Sequence, residues 1–158
     1  MLRHLIVVIS MLSILLLPVA GVTQPAAAAS EDQLLVEDSL VDVWVFEDKD
    51  RNGVYSSGDV GFTDVKVCLL NQATNVNSCV GTDYGDVWWE ITEAGKFATW
   101  VDAATIPGNY KLNSIQCRET RTGKLYNCST YKSTWRAKMT LPYGTRINVF
   151  YALVPVRR

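Results

Sequence analysis

The chain has 158 residues, 48% of them hydrophobic, and its 15 Lys/Arg nearly balance 16 Asp/Glu. That composition excludes a disordered polar chain, and a formal charge of −1 gives no overall basic field for nucleic acid. The only histidine is His4, so the rest of the chain cannot assemble a Ser–His or Cys–His nucleophile or a His-based zinc site.

Residues 1–29 read as a secretory signal peptide. Arg3 and His4 form a short positive start, Leu5 to Val22 carries no charge, and Ala26 to Ala29 offers small-residue cleavage sites. The alternative is an uncleaved anchor, because the apolar run is near the lower limit for spanning a bilayer. The alanine-rich exit favours cleavage and therefore no stable membrane span in the mature protein. Residues 30–39 form an acidic lead-in, and residues 40–158 have the length of one domain. The expected location is extracellular, secreted or associated with the cell surface.

The mature chain alternates between strand-like runs and turns. Leu40 to Phe46 is β-branched and aromatic, and apolar on both faces after Asp42, as in an inner strand. In Asp64 to Leu70, Val65, Val67 and Leu69 face one way while Lys66 and Cys68 face the other. Asp86 to Thr92 and Lys96 to Val101 are two further strands, separated by Glu93-Ala94-Gly95. Asn109 to Cys117 follows the turn Pro107-Gly108. Ser133 to Leu141 and Arg146 to Leu153 complete the set. Gly and Pro punctuate these runs at sandwich or barrel spacing, and no window holds a helical period. The expected fold class is therefore all-β, an antiparallel β-sandwich.

Four cysteines in an exported chain favour two disulfides. Cys68 and Cys79 are eleven residues apart, as are Cys117 and Cys128. A two-residue turn at Thr122-Gly123 would pair Arg121 with Lys124 and set Cys117 opposite Cys128. The expected bridges are Cys68–Cys79 and Cys117–Cys128, out of three possible connectivities.

The segment Asp48 to Asp59 (DKDRNGVYSSGD) fits the calcium-loop pattern D-x-[DN]-x-[DN]-G with a carboxylate at the twelfth position. Calcium takes six to eight hard oxygen ligands, which alternate positions supply when the chain curls round the ion. Asp48, Asp50 and Asn52 stand at positions 1, 3 and 5. Gly53 permits the turn, the carbonyl of Val54 is the seventh-position ligand, and Asp59 closes the site. Ser56 stands at the ninth position. Asp59 is shorter than the usual Glu, so the site is lean. The plain alternative is an acidic turn, since Asp, Asn and Gly are turn residues in any case. Strand-like runs flank the loop, so it is not an EF-hand.

Val45 to Leu69 resembles the opening of the B-type repeat domains of serine–aspartate-repeat surface adhesins. Asp48, Asp50, Asn52, Gly53, Asp59, Gly61, Val65, Val67 and Leu69 carry the resemblance. Thr82-Asp83-Tyr84-Gly85, Pro107-Gly108-Asn109-Tyr110 and the closing strand add to it. The resemblance implies a prealbumin-like (Cna-B-like) β-sandwich rigidified by calcium, with Asp48, Asp50, Asn52, Val54 and Asp59 as ligands. The two cysteine pairs, Ser56-Ser57 where acidic residues are common, and the single copy depart from that family.

Several features are left over. Five tryptophans are many for this length, and Trp88 and Trp89 must point to opposite faces of their strand. An exposed one could stack on a sugar. Residues 30–102 hold 4 Lys/Arg against 15 Asp/Glu, whereas residues 103–158 hold 10 against 1. Such asymmetry can mark a partner surface, but interleaving of the two halves in a sandwich would cancel it. The expected function is a non-catalytic, calcium-stabilised structural or interaction module whose partner is an extracellular protein or glycan. The alternative is a carbohydrate-binding module on a similar sandwich.

Overall fold

The computed structural model describes residues 38–157. The expected signal peptide, and the lead-in up to residue 37, lie outside the described residues. The described residues form ten strands: β1 (Ser39–Glu47), β2 (Val60–Gly61), β3 (Lys66–Asn71), β4 (Val76–Gly81), β5 (Asp86–Ile91), β6 (Gly95–Val101), β7 (Tyr110–Glu119), β8 (Cys128–Tyr131), β9 (Arg136–Leu141) and β10 (Arg146–Pro155). They make two five-stranded sheets. The first has the order β2-β1-β10-β7, with β5 also paired to β1; the second has the order β4-β3-β6-β9-β8. Every pair is antiparallel except β1 with β10, which run parallel from Leu40↔Arg146 to Glu47↔Leu153. Among the described residues no helix is long and apolar enough to cross a membrane.

Period-2 alternation puts one face of each sheet into a common core. Val41, Val43 and Val45 of β1, Val67 and Leu69 of β3, and Ile147, Val149, Tyr151 and Leu153 of β10 are buried together there. Each such side chain contributes about 1.5–3 kcal/mol on full burial. The Tyr151 hydroxyl meets Thr99 Oγ1 at 2.9 Å, so the one polar tip in that row is partnered across the sheets. The outer face of the first sheet is also apolar at one end, where Phe46, Phe150 and Ala152 pack with Trp44, Val54 and Tyr55. Hence β1 is apolar on both faces after Asp42: its second face is roofed by the loop that follows it.

All seven expected strands form. Ser133 to Leu141 is corrected at its start, because Lys132–Thr134 makes a 3-10 turn and Trp135 is left-handed at φ 52°, so strand begins at Arg136. The acidic lead-in also ends earlier than expected, as Ser39 already belongs to β1. Three strands, β2, β4 and β8, were not anticipated.

Both expected disulfides are present. Cys68 and Cys79 face each other directly in the β3–β4 ladder, with Cα atoms 4.0 Å apart. The Cys117–Cys128 hairpin, however, has a different register. The ladder pairs Arg118 with Leu125, and Tyr126 N–H donates to Cys117 O, so Tyr126 takes the place expected for Cys128. The turn is four residues, Thr120 to Gly123, closed by Glu119 and Lys124. Cys128 then crosses to the second sheet, where it pairs with Met139 of β9. The bridge thus ties the two sheets together rather than two strands of one hairpin.

The interleaving expected of the charges does not occur. In the first sheet β5, β2 and β1 come from the acidic half and β10 and β7 from the basic half. In the second, β4, β3 and β6 are acidic-half strands and β9 and β8 basic-half ones. The strands of the two halves therefore form opposite sides of the sandwich, while the acidic loop after β1 reaches across to β7.

Asp42 sits half-buried on the outer face of the first sheet. Its Oδ2 accepts from Trp44 Nε1 at 2.8 Å, while its Oδ1 is buried without a partner. Burial, which outweighs the bond from Trp44, pushes its carboxyl up from 3.8 to about 6. A folded value above the unfolded one means the ionised form is disfavoured by folding. The associated stability is therefore full below pH 3.8 and lost as pH rises through about 6. Asp42→Asn keeps an acceptor for Trp44 without the charge. It is expected to stabilise the domain by about 1–2 kcal/mol at pH 7.5, allowing for the screening of a partly exposed group. The gain should vanish by about pH 3.5, and urea melts at the two pH values check it.

Candidate metal centre

The loop from Asp48 to Asp59 joins β1 to β2 and folds back over the first sheet. Its entry is fixed by the main chain: Asp48 N–H donates to Leu153 O of β10 at 2.8 Å. Its middle is fixed by packing, since Tyr55 stacks on Trp44 at 4.6 Å and meets Phe46 edge-on at 5.4 Å. Aromatic contacts of this kind add about 0.5–1.5 kcal/mol each beyond the area they bury. The apolar residues at the seventh and eighth positions of the loop, Val54 and Tyr55, thereby anchor the polar ones.

Asp48, Asp50 and Asp59 each bring a carboxylate oxygen to within 4.8 Å of the other two, a spacing that could hold a metal ion. Asp48 is 1% exposed. Its Oδ2 accepts from Gly53 N–H at 3.0 Å and Asn113 Nδ2 at 3.3 Å, whereas its Oδ1 is buried with no partner. An ionised buried oxygen without a hydrogen bond is costly unless a cation neutralises it. Burial raises the Asp48 carboxyl above its ordinary value, and the nearby Asp50 adds to the rise. Asp50 is shifted the opposite way, chiefly by the Asn52 N–H that donates to its Oδ1 at 3.1 Å.

The remaining polar groups of the loop hold these carboxylates in place. Asp59 Oδ1 accepts from Lys49 N–H at 3.0 Å, and its Oδ2 accepts from Ser56 N–H at 2.8 Å. Ser56 Oγ lies 3.2 Å from Asp50 Oδ2 and 2.9 Å from Asp59 Oδ2, bridging the two acids. Gly53 has φ +78°, and a Cβ there would lie 2.1 Å from Gln116 Nε2 and 2.7 Å from Ser114 Oγ. Only glycine fits this close approach, for reasons of both backbone conformation and space.

Of the five expected ligands, the structure gathers the three carboxylates. Asn52 joins through its amide nitrogen, which donates to Asp50 Oδ2 at 2.6 Å, while its Oδ1 accepts from Val54 N–H. The Val54 side chain packs into the outer apolar cluster. Sequence reasoning missed the supports on β7: Asn113, which donates to Asp48, and Gln116, whose Nε2 donates to Asn52 O at 3.1 Å. They lie 65 and 64 residues along the chain from Asp48 and Asn52, the residues they bond. The only signal for them is an unusual density of polar residues (Asn113, Ser114, Gln116) in a strand that borders the core. The donor set is all oxygen and strongly acidic, which suits a hard cation such as calcium or magnesium and not a soft one. Compared with known proteins, the chain matches no family model and no curated relative.

Proposed function

We propose that this is a secreted, non-catalytic structural or interaction module in which calcium, held at Asp48, Asp50 and Asp59, locks the loop between the first two strands. Asn52 and the Val54 carbonyl complete the ligand set in this reading. The observation that carries it is the buried, unpartnered Oδ1 of Asp48, in a carboxylate that converges with those of Asp50 and Asp59 to within 4.8 Å. Two disulfides support an extracellular setting. The sandwich, the loop between strands and the parallel pairing of first and last strands are compatible with a prealbumin-like (Cna-B-like) module of the adhesin B-type repeat kind. Calcium is favoured over magnesium because three carboxylates converge in one all-protein site, whereas magnesium keeps several waters and is bound through one or two carboxylates.

Trp44 and Tyr55 stack beside the loop and can sensitise a lanthanide bound there. Terbium added to the purified protein is expected to luminesce on excitation at about 280 nm and to be displaced by calcium, less readily by magnesium. Absence of sensitised emission, or displacement by magnesium at equal concentration, would count against the assignment.

The carbohydrate-binding alternative has one observation in its favour. Trp88, 55% exposed, lines a cleft of about 400 Å³ with Asp42, Glu90 and Arg146. Trp88 is the only exposed tryptophan of the five, so it does not belong to a tryptophan row. A glycan-array signal abolished by Trp88→Ala would promote this reading.

A further inference from the structure

We infer that the domain associates head-to-tail with further copies of itself, the acidic flank formed by β4 and β5 docking on the basic flank formed by β7 and β8 of the next copy. This rests on surfaces other than the metal loop and goes beyond the proposed calcium role. Three observations converge on it.

The first is charge. Leaving out residues 47–59, which reach over to β7, positions 38–46 and 60–102 hold 8 Asp/Glu against 2 Lys/Arg, and positions 103–157 hold 1 against 9, giving −6 and +8. Because the halves occupy opposite sides of both sheets, these charges are separated in space. Asp83, Asp86, Glu90 and Glu93 line the grooves between β4 and β5. Lys111 and Arg118 on β7, Lys124 in the following turn and Lys132 after β8 supply the opposite flank.

The second is the backbone. The second sheet ends in β4 on the acidic side and β8 on the basic side, so each copy presents one open, uncharged strand edge on each side. All six residues of β4 (VNSCVG) are exposed, and none is a Lys, a Pro or any charged residue of the kind that usually guards an edge. The Cys68–Cys79 bridge holds this edge in strand form.

The third is exposed apolar surface on both flanks: Val76 (65%) and Val80 (44%) on the acidic side, Leu125 (73%) and Tyr131 (45%) on the basic side. Flank-to-opposite-flank docking buries both sets and neutralises both fields. Such a heterologous contact leaves a free flank at each end, so it extends into chains, or into rings where the rotation closes, rather than forming a two-fold dimer.

Sedimentation velocity of the purified protein in calcium tests this. At about 25 mM NaCl the weight-average sedimentation coefficient is expected to rise with concentration, and the association constant to fall at least about tenfold by 300 mM. Glu90→Lys/Glu93→Lys and Lys124→Glu/Lys132→Glu should each sediment as monomer, because in each the four named charges of one flank then cancel and the attraction between flanks is lost. An equimolar mixture of the two variants should associate again. A single monomeric species at every concentration and salt would overturn the proposal. So would association that survives neutralisation of the basic flank, which would mean a two-fold contact through β4 alone.

Discussion

Asp48→Asn is expected to be less stable than the wild type in calcium but more stable than the wild type in chelator. The reversal follows from the two roles of this carboxylate. In calcium it contributes a charged ligand, and its loss removes the linkage stabilisation, which is about 2.7 kcal/mol when the free ion is a hundredfold above its dissociation constant. Set against the about 1–2 kcal/mol that the variant gains without the ion, this leaves it about 0.7–1.7 kcal/mol below the wild type in calcium, a fall of about 2–8 °C in melting temperature for a domain of this size. Without the ion, Asp48 is a buried acid with an unpartnered oxygen beside Asp50. Asparagine keeps the acceptor for Gly53 N–H and removes both the desolvation and the repulsion, worth about 1–2 kcal/mol. Paired thermal melts of both proteins in calcium and in chelator read the crossing. If the loop were only an acidic turn, the order of the two proteins would be the same in both media.

Removing the Cys117–Cys128 bridge should cost more than removing Cys68–Cys79, although each spans the same eleven residues. Equal loops give equal chain-entropy terms of about 3 kcal/mol, so any difference between the variants reports the folded state. Cys68 and Cys79 join neighbours that the β3–β4 ladder already pairs from Lys66 to Asn71. Cys68 and Cys117 are about equally buried, at 3% and 2% exposed, but Cys117 is a member of the core cluster with Cys128 packed against it, and it holds the four-residue strand β8 to the opposite sheet. Cys117→Ala/Cys128→Ala is therefore expected to lose about 1 kcal/mol more than Cys68→Ala/Cys79→Ala, by loss of core packing. Amide exchange should also quicken selectively in β8, Cys128 to Tyr131. Equal denaturant midpoints for the two double variants would contradict this.

What the sequence disclosed and what it hid have separate physical causes. Strands with a face in the core, such as β3 and β10, announce themselves because Val67 and Leu69, or Ile147, Val149, Tyr151 and Leu153, repeat with the period of the pleat. β4 and β8 bury no residue, so no alternation is imposed on them and none is visible. The disulfide pairs were legible from equal spacing. The path of the second bridge was not, because the turn at Thr120 to Gly123 closes two residues earlier than the Thr122-Gly123 dipeptide suggests. Likewise the three carboxylates could be read from a local pattern, since ligands at alternate loop positions converge through the chain's own curl. Their supports, Asn113 and Gln116, come from β7 through a long-range pairing that no local pattern encodes. The charge asymmetry was plain in the sequence, but its meaning depended on whether the halves mix. The sheet order, with β1 beside β10 and β6 beside β9 at the boundary, keeps their strands apart.

The central claim is that one calcium ion at Asp48, Asp50 and Asp59 stabilises the sandwich. A thermal melt of the wild-type protein in 1 mM calcium and again in excess chelator tests it most directly. The account predicts a single transition that moves down by about 8–13 °C on chelation and returns when calcium is restored. Superimposable melts in the two conditions would contradict it.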